Sequence, residues 1–251
     1  MKKSLCVLIA LAVFSMTFAA CSPAGGLEDS YIIGINAEYQ PFEWVDEAGN
    51  IVGFDVDLWD ALAEEMGIEY EWVNTKWDGI FVALQSGEFD AVISAASIYP
   101  ERLEIVNFSD PYFEAGQQIV VRVEDKDVIN TKEHLDGLKV GVMLGTTGDI
   151  WVSEETAAEV SRYDEITLAF QALANGDVDA VVNDNTNSIE LIQANPDMNL
   201  TLVGVPYTAE DYGIAVIKEK PELLEAINKA LATIKENGTY DKIYDDWFGI
   251  E

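Results

Sequence analysis

Arginine is scarce in this chain. Its 14 basic residues include three arginines, Arg102, Arg122 and Arg162, against 46 Asp and Glu. Arg102 closes the stretch SIYPER (97–102), just past an apolar run, FDAVISA (89–95), that reads as a buried strand. A guanidinium near the carboxyl end of a strand, with the hydroxyl of Ser97 close in sequence, suits a planar carboxylate. By residue type alone, a surface arginine paired with one of the many acids fits as well. A second anion-binding feature is GTTGD (145–149), where a strand meets a helix start. Free amides and the positive helix end attract negative charge there, and Thr147 and Thr146 add hydroxyls. A plain N-cap is the competing use of these threonines. The motif lacks the Gly-Lys-Ser/Thr of a phosphate-binding P-loop. Asp184 ends another apolar run, VDAVVND (178–184), and offers the opposite charge, a partner for an ammonium. Capping the helix SIELIQ that follows is its alternative use. The chemistry in view is grip rather than catalysis. A single histidine, His134 in the hydrophilic KEHLDG, and no usable cysteine pair supply neither a metal-ligand set nor a Ser/His/Asp triad.

These residues need strands to place them, and the sequence offers the strands twice. ALQSGEFDAV (83–92) returns as ALANGDVDAV (172–181), with six of ten letters matching. Each reads as a helix end, a glycine stop and a buried strand. Around them, helical patterns alternate with apolar strands, the signature of parallel α/β sheets. YIIGINA (31–37), IEYEWVN (68–74), LKVGVML (138–144) and LTLVGV (200–205) read as strands, and SRYDEI as a strand or turn. The run after Asp55 (56–66), together with 77–87, 148–160, 167–176, 188–196 and 221–238, reads as helices, and the chain closes on a short one. QQIVVRV (117–123) and DYGIAVIK (211–218) have no place in the βα rhythm and read as two crossings between lobes. The expectation is a two-lobed α/β protein, each lobe a mostly parallel sheet flanked by helices. Lobe one spans 31–115 plus 214–251, lobe two 120–208, with hinges near 116–119 and 209–213. Ligands of open α/β sheets sit beyond the carboxyl ends of the strands. SAAS (94–97) and NDNT (183–186) should therefore line the cleft.

A net charge of −32 repels a phosphate backbone, which argues against a nucleic-acid partner. A solvated surface is the plain reading of the acidity. The first 20 residues read as a secretory signal, with Lys2 and Lys3, the apolar LCVLIALAVFSMTF, and Ala19-Ala20 before Cys21. The ending resembles a bacterial lipobox, which implies cleavage before Cys21, lipid on Cys21 and a tether over 22–30. The expected location is the outer face of the cytoplasmic membrane or the periplasm, touching the membrane through that anchor alone. Cys6 leaves with the signal, so no internal disulfide is expected.

YQPFEWVDEAGNIVGFDVDL, WDGIFVALQSGEFDAVISAASIYPERLEIVNFSDPYF, VGVMLGTTGD and LANGDVDAVVND stand in order along the chain. Together they resemble the bacterial polar-amino-acid solute-binding proteins of ABC importers, over the whole chain after the signal. The resemblance implies the periplasmic-binding-protein, or Venus-flytrap, fold. It implies a monomer that captures a free amino acid, polar or basic, and hands it to a membrane permease, with no cofactor, no metal and no turnover. Residue by residue, it places Arg102, Ser97, Thr147, Thr146 and Ala95 at the ligand carboxylate, and Asp184 and Ser94 at the ammonium. Asn36, Glu38, Tyr39, Trp77, Met143, Gly148 and Asn183 would surround the side chain. Tyr39 and Trp77 would be aromatic walls, although buried aromatics serve equally as core, and Glu38 serves equally as solvated surface. Ala95, Ala96 and Tyr99 depart from the family pattern, which bears on ligand identity rather than on the carboxylate clamp. The same fold hosts cleft enzymes resembling arogenate or prephenate dehydratases, for which Glu38 would be the general acid. A ligand-sensing partner of a receptor is a third reading.

Overall fold

The two echoed segments fold alike. In the computed structural model, which describes residues 26–249, helices Ile80–Ser86 and Ile166–Asn175 each end on a left-handed glycine, Gly87 (φ 83°) and Gly176 (φ 82°). Glycine takes this conformation without the Cβ penalty. The next two amides then turn back into each helix: Gly87 to Leu84 and Glu88 to Ala83, Gly176 to Leu173 and Asp177 to Ala172. Next, the carboxylates of Asp90 and Asp179 accept the backbone N–H of Ile32 (2.7 Å) and Lys139 (2.9 Å). These bonds fix the register of two short strands. Ala91–Val92 pairs in parallel with Ile33–Gly34, and Ala180–Val181 with Val140–Gly141.

Two five-stranded sheets of one topology result. The first runs Glu69–Asn74, Ser30–Ile35, Ala91–Val92, Ala215–Val216, Asn107–Phe108. The second runs Glu159–Tyr163, Lys139–Met143, Ala180–Asp184, Gln117–Arg122, Leu200–Val203. In each, the fourth strand runs against the other four. That strand is the one the chain enters on arriving from the other sheet. The passage itself is an antiparallel ribbon, Phe113–Ala115 against Glu210–Tyr212. Phe42 packs against Phe113 (4.9 Å between ring centroids), Tyr212 (5.3 Å) and Phe54 (6.0 Å), tying the ribbon to the first lobe. Such pairs add about 0.5–1.5 kcal/mol each beyond their burial.

QQIVVRV, expected as a crossing, is instead an interior strand of the second sheet, with five of its six strand positions buried. Its unbroken apolar run is what a strand covered on both faces requires. DYGIAVIK divides between the ribbon and the first sheet. The helix expected over 148–160 ends at Glu155, because Glu159–Tyr163 pairs in parallel with Lys139–Met143 instead. The helix expected over 77–87 begins at Ile80. Helices Pro221–Glu236 and Thr239–Phe248 close the chain and pack on Phe54–Met66. No helix among the described residues is long and apolar enough to cross a membrane. The expected signal peptide and the Cys21 anchor lie outside the described residues.

Candidate functional site

Between the two sheets lies a cavity whose walls enclose, together with its open mouth, about 330 Å³ of empty space. The carboxyl ends of the strands deliver its walls: Asn36 follows Ser30–Ile35, Ser94 and Ala95 follow Ala91–Val92, Met143 ends one strand and Asp184 another. Tyr39, Trp77, Ser97, Arg102, Thr146 and Thr147 also line it, as does Glu43.

Arg102 sits in the short helix Pro100–Leu103 and is 7% exposed. It donates from Nη1 to Ser97 O (2.8 Å) and from Nη2 to Gly145 O (3.4 Å). The guanidinium lies against the rings of Phe81 (4.6 Å) and Trp77 (5.1 Å). Two carbonyls use two of its five N–H donors. Among the described residues, no acid forms an ion pair with it. Burial lowers its pKa to about 10, so it remains a cation at neutral pH. A buried charge held in no ion pair costs several kcal/mol, and here that charge borders a cavity, where Glu210 and Asp184 favour it without pairing with it.

Helix Thr147–Glu155 brings the second lobe to the same place. Thr146 is its N-cap, accepting from Asp149 N (3.3 Å) and donating to Met143 O (2.8 Å). Its hydroxyl proton is therefore committed, and Thr146 has none left for a ligand. Thr147 does not cap. Its Oγ1 accepts from Gln117 Nε2 (3.1 Å) and donates to Glu210 Oε2 (2.6 Å). Ser97 Oγ, from the first lobe, donates to the same oxygen at 2.7 Å.

Asp184 occupies the N-cap position of helix Asn185–Ala194, but its side chain makes no capping bond. It turns into the cavity, where Tyr39 and Tyr212 each donate to Oδ2 at 2.6 Å and Gln117 donates to Oδ1. Burial first, and then the charge of Glu210, raise its pKa to about 6, against the hydrogen bonds that lower it. A carboxylate this desolvated gains much from a cation.

A third acid group borders the cavity. Ser94 accepts from Asn36 N (3.0 Å) and donates to Glu43 Oε1 (2.9 Å). Glu43 and Asp55 are buried and face each other, and both pKa values are raised, chiefly by burial. Glu43 Oε2 and Asp55 Oδ1 have no other partner, so a proton held by Glu43 serves both. Asp55 Oδ2 accepts from Ala95 N (2.7 Å) and Tyr112 (2.8 Å), holding Ala95 at φ 44°.

Eleven of the residues expected at the ligand are thus brought together around the cavity. Glu38, Gly148 and Asn183 are not among its walls. Glu38 stands on the rim, where Lys76 bonds both it and Glu165 of the other lobe at 2.8 Å. Gly148 packs on Gln117, and a Cβ there would meet Gln117 Oε1 at 2.7 Å. Asn183 lies behind the cavity, accepting from Tyr39 (3.1 Å) and donating to Asn187 (2.7 Å). Sequence reasoning missed Glu43, Gln117, Glu210 and Tyr212. Gln117 opens one run read as a crossing and Glu210 immediately precedes the other, within the expected hinge 209–213, and that was the available signal.

A family model described as bacterial extracellular solute-binding proteins, family 3, matches residues 31–250. A probable histidine-binding protein of Neisseria gonorrhoeae is 36% identical over 254 residues, covering 96% of this chain and 94% of that protein. Among solved structures, an ancestral arginine-binding protein bound to glutamine gives a TM-score of 0.84 at 45% identity, covering 89% of this chain and all (100%) of that one. An ancestral amino-acid-binding protein, a precursor of cyclohexadienyl dehydratase, gives 0.81 at 40% identity, covering 88% and 95%.

Proposed function

Since the chain belongs to the bacterial extracellular solute-binding proteins of family 3, we propose that it captures a free amino acid between its lobes and delivers it to the permease of an ABC importer. One observation carries the reading. A buried guanidinium with which no acid of the described residues forms an ion pair, Arg102, shares a cavity with a buried carboxylate, Asp184. A zwitterion satisfies both. Its carboxylate would lie on Arg102, Ser97 and Thr147, where the first-turn amides of helix Thr147–Glu155 add to the grip. Its ammonium would lie on Asp184, with Ser94 beside it.

The ligand meets lobe one through Arg102 and Ser97, then recruits Thr147 and Asp184 as the ribbon bends. It favours the closed state only through its bonds to the second lobe, which the open state lacks. Asn36, the walls Tyr39 and Trp77, and the acid Glu38 at the rim favour a polar or basic side chain. The names of the histidine- and arginine-binding relatives support this direction. In this reading the ligand leaves unchanged, and Glu38, one residue suited to general acid work, is held at the rim by Lys76. Export, anchoring through Cys21 and action as a monomer belong to the same proposal.

Thermal-shift screening of the mature domain against the twenty amino acids tests it. Stabilisation by one or a few polar or basic amino acids is expected, and no shift with any of them would refute the reading. A cleft dehydratase is the second reading, favoured by the dehydratase precursor among the structural neighbours. Mass spectrometry after incubation separates the two, since conversion of arogenate or prephenate would establish the enzyme.

A further inference from the structure

The two hydroxyls assigned to the ligand carboxylate already serve a carboxylate of the protein. Ser97 comes from the first lobe and Thr147 from the second, and both donate to Oε2 of Glu210 on the connecting ribbon. The other oxygen, Oε1, accepts from Thr208 at 2.8 Å, and Thr208 in turn accepts from Gln117 N at 2.9 Å. Glu210 is therefore braced from behind and aimed at the clamp. Thr147 already accepts from Gln117 on its oxygen, so the proton it gives to Glu210 is its one donation. The same count holds for Ser97, since a hydroxyl carries one proton. A ligand carboxylate that takes either hydroxyl as a donor must take it from Glu210.

We infer that Glu210 is an internal competitor for the ligand's carboxylate, a surrogate anion that bridges Ser97 and Thr147 across the cleft and yields them when an amino acid binds. This rests on the amino-acid reading above and goes beyond it. Glu210 sets the threshold a ligand must pass, because the bonds a carboxylate makes to Ser97 and Thr147 are offset by those Glu210 gives up. It also supplies a way out, since its return to the two hydroxyls displaces the ligand from its negative end. A further consequence is selection by charge. With Asp184 and Glu210 facing one guanidinium, the cleft carries surplus negative charge, which disfavours an acidic side chain.

The test is calorimetric titration of wild type, Glu210→Ala and Glu210→Gln with L-arginine and L-histidine, and with the α-carboxamides of both. Removing the competitor is expected to tighten binding of the amino acids about tenfold, the scale of one hydrogen bond to a charged group. Gln, a neutral acceptor of the same shape, should fall between wild type and Ala. The α-amides, which offer no carboxylate, should gain nothing. Equal or weaker amino-acid binding by both variants, or an equal gain for the amides, would overturn the inference while leaving the amino-acid reading intact. If neither binds, the same titration is made with the amino acid that most stabilises wild type and its α-carboxamide, and if none of the twenty binds any of the three proteins, the amino-acid reading itself fails. Circular dichroism confirms folding, and Glu210→Gln, which keeps the ribbon's contacts, carries the test if Glu210→Ala does not fold.

Discussion

Replacing Arg102 by Ala separates a binding role from a structural one. The side chain is buried, and its bonds within the protein go to two carbonyls, Ser97 O and Gly145 O. Both can turn to water or to neighbouring donors once it is gone. Its stacking on Trp77 and Phe81 contributes about 0.5–2 kcal/mol to folding. Relief of a buried charge with which no acid of the described residues forms an ion pair opposes that loss. The free protein's melting temperature should therefore move little. Ligand binding should behave differently. Breaking a buried ion pair by removing one member costs about 3–5 kcal/mol, or roughly 100- to 4,000-fold in Kd. Calorimetry against the amino acid that most stabilises wild type, with a thermal melt of each free protein, measures both quantities. A variant that unfolds would refute the reasoning, because the guanidinium would then be a structural pillar. So would one that binds within a few-fold of wild type, because no ligand anion would then rest on it.

Asp184→Asn should lose most of the affinity, since the amide cannot balance an ammonium, and titration calorimetry checks it. The raised pKa of Asp184 also fixes a sign. Its stabilising contribution is present below its ordinary value of 3.8 and is lost as pH rises through about 6. Denaturation of the free protein between pH 4 and 7 should show a shallower fall in stability for Asp184→Asn than for wild type, and ligand affinity of wild type should weaken as pH drops below about 6. Ala95 sits in the left-handed region at φ 44°, so Ala95→Gly should stabilise the fold by about 0.5–1 kcal/mol, read as a rise in melting temperature. Lys76 links the lobes but is 59% exposed, so Lys76→Ala should change Kd by less than about fivefold, as calorimetry would show.

The sequence disclosed most of what depends on local pattern. The glycine stops at Gly87 and Gly176, and the aspartates three residues on, repeat because each lobe builds the same helix–strand corner. Arg102, Thr147 and Asp184 were visible because strand ends and helix starts are where open α/β sheets expose charge. Whatever depends on pairing across the chain was not legible. The apolar run of Gln117–Arg122 looks the same whether the strand crosses between lobes or fills a sheet, and only its partners Ala180–Asp184 and Leu200–Val203 decide. The bond from Glu210 to Ser97 spans 113 positions, and Glu43 meets Ser94 across 51. No spacing rule reaches that far. Glu38 shows the opposite limit. It is close in sequence to the cavity residues Asn36 and Tyr39, yet Lys76 draws it to the rim.

The most direct measurement is a crystal structure of the mature domain with the amino acid that gives the largest thermal shift. The ligand's carboxylate should lie within hydrogen-bond reach of the Arg102 guanidinium, and its ammonium against Asp184, with one ligand touching both lobes. A ligand bound elsewhere, or bound with Arg102 and Asp184 both free of it, would contradict the central claim.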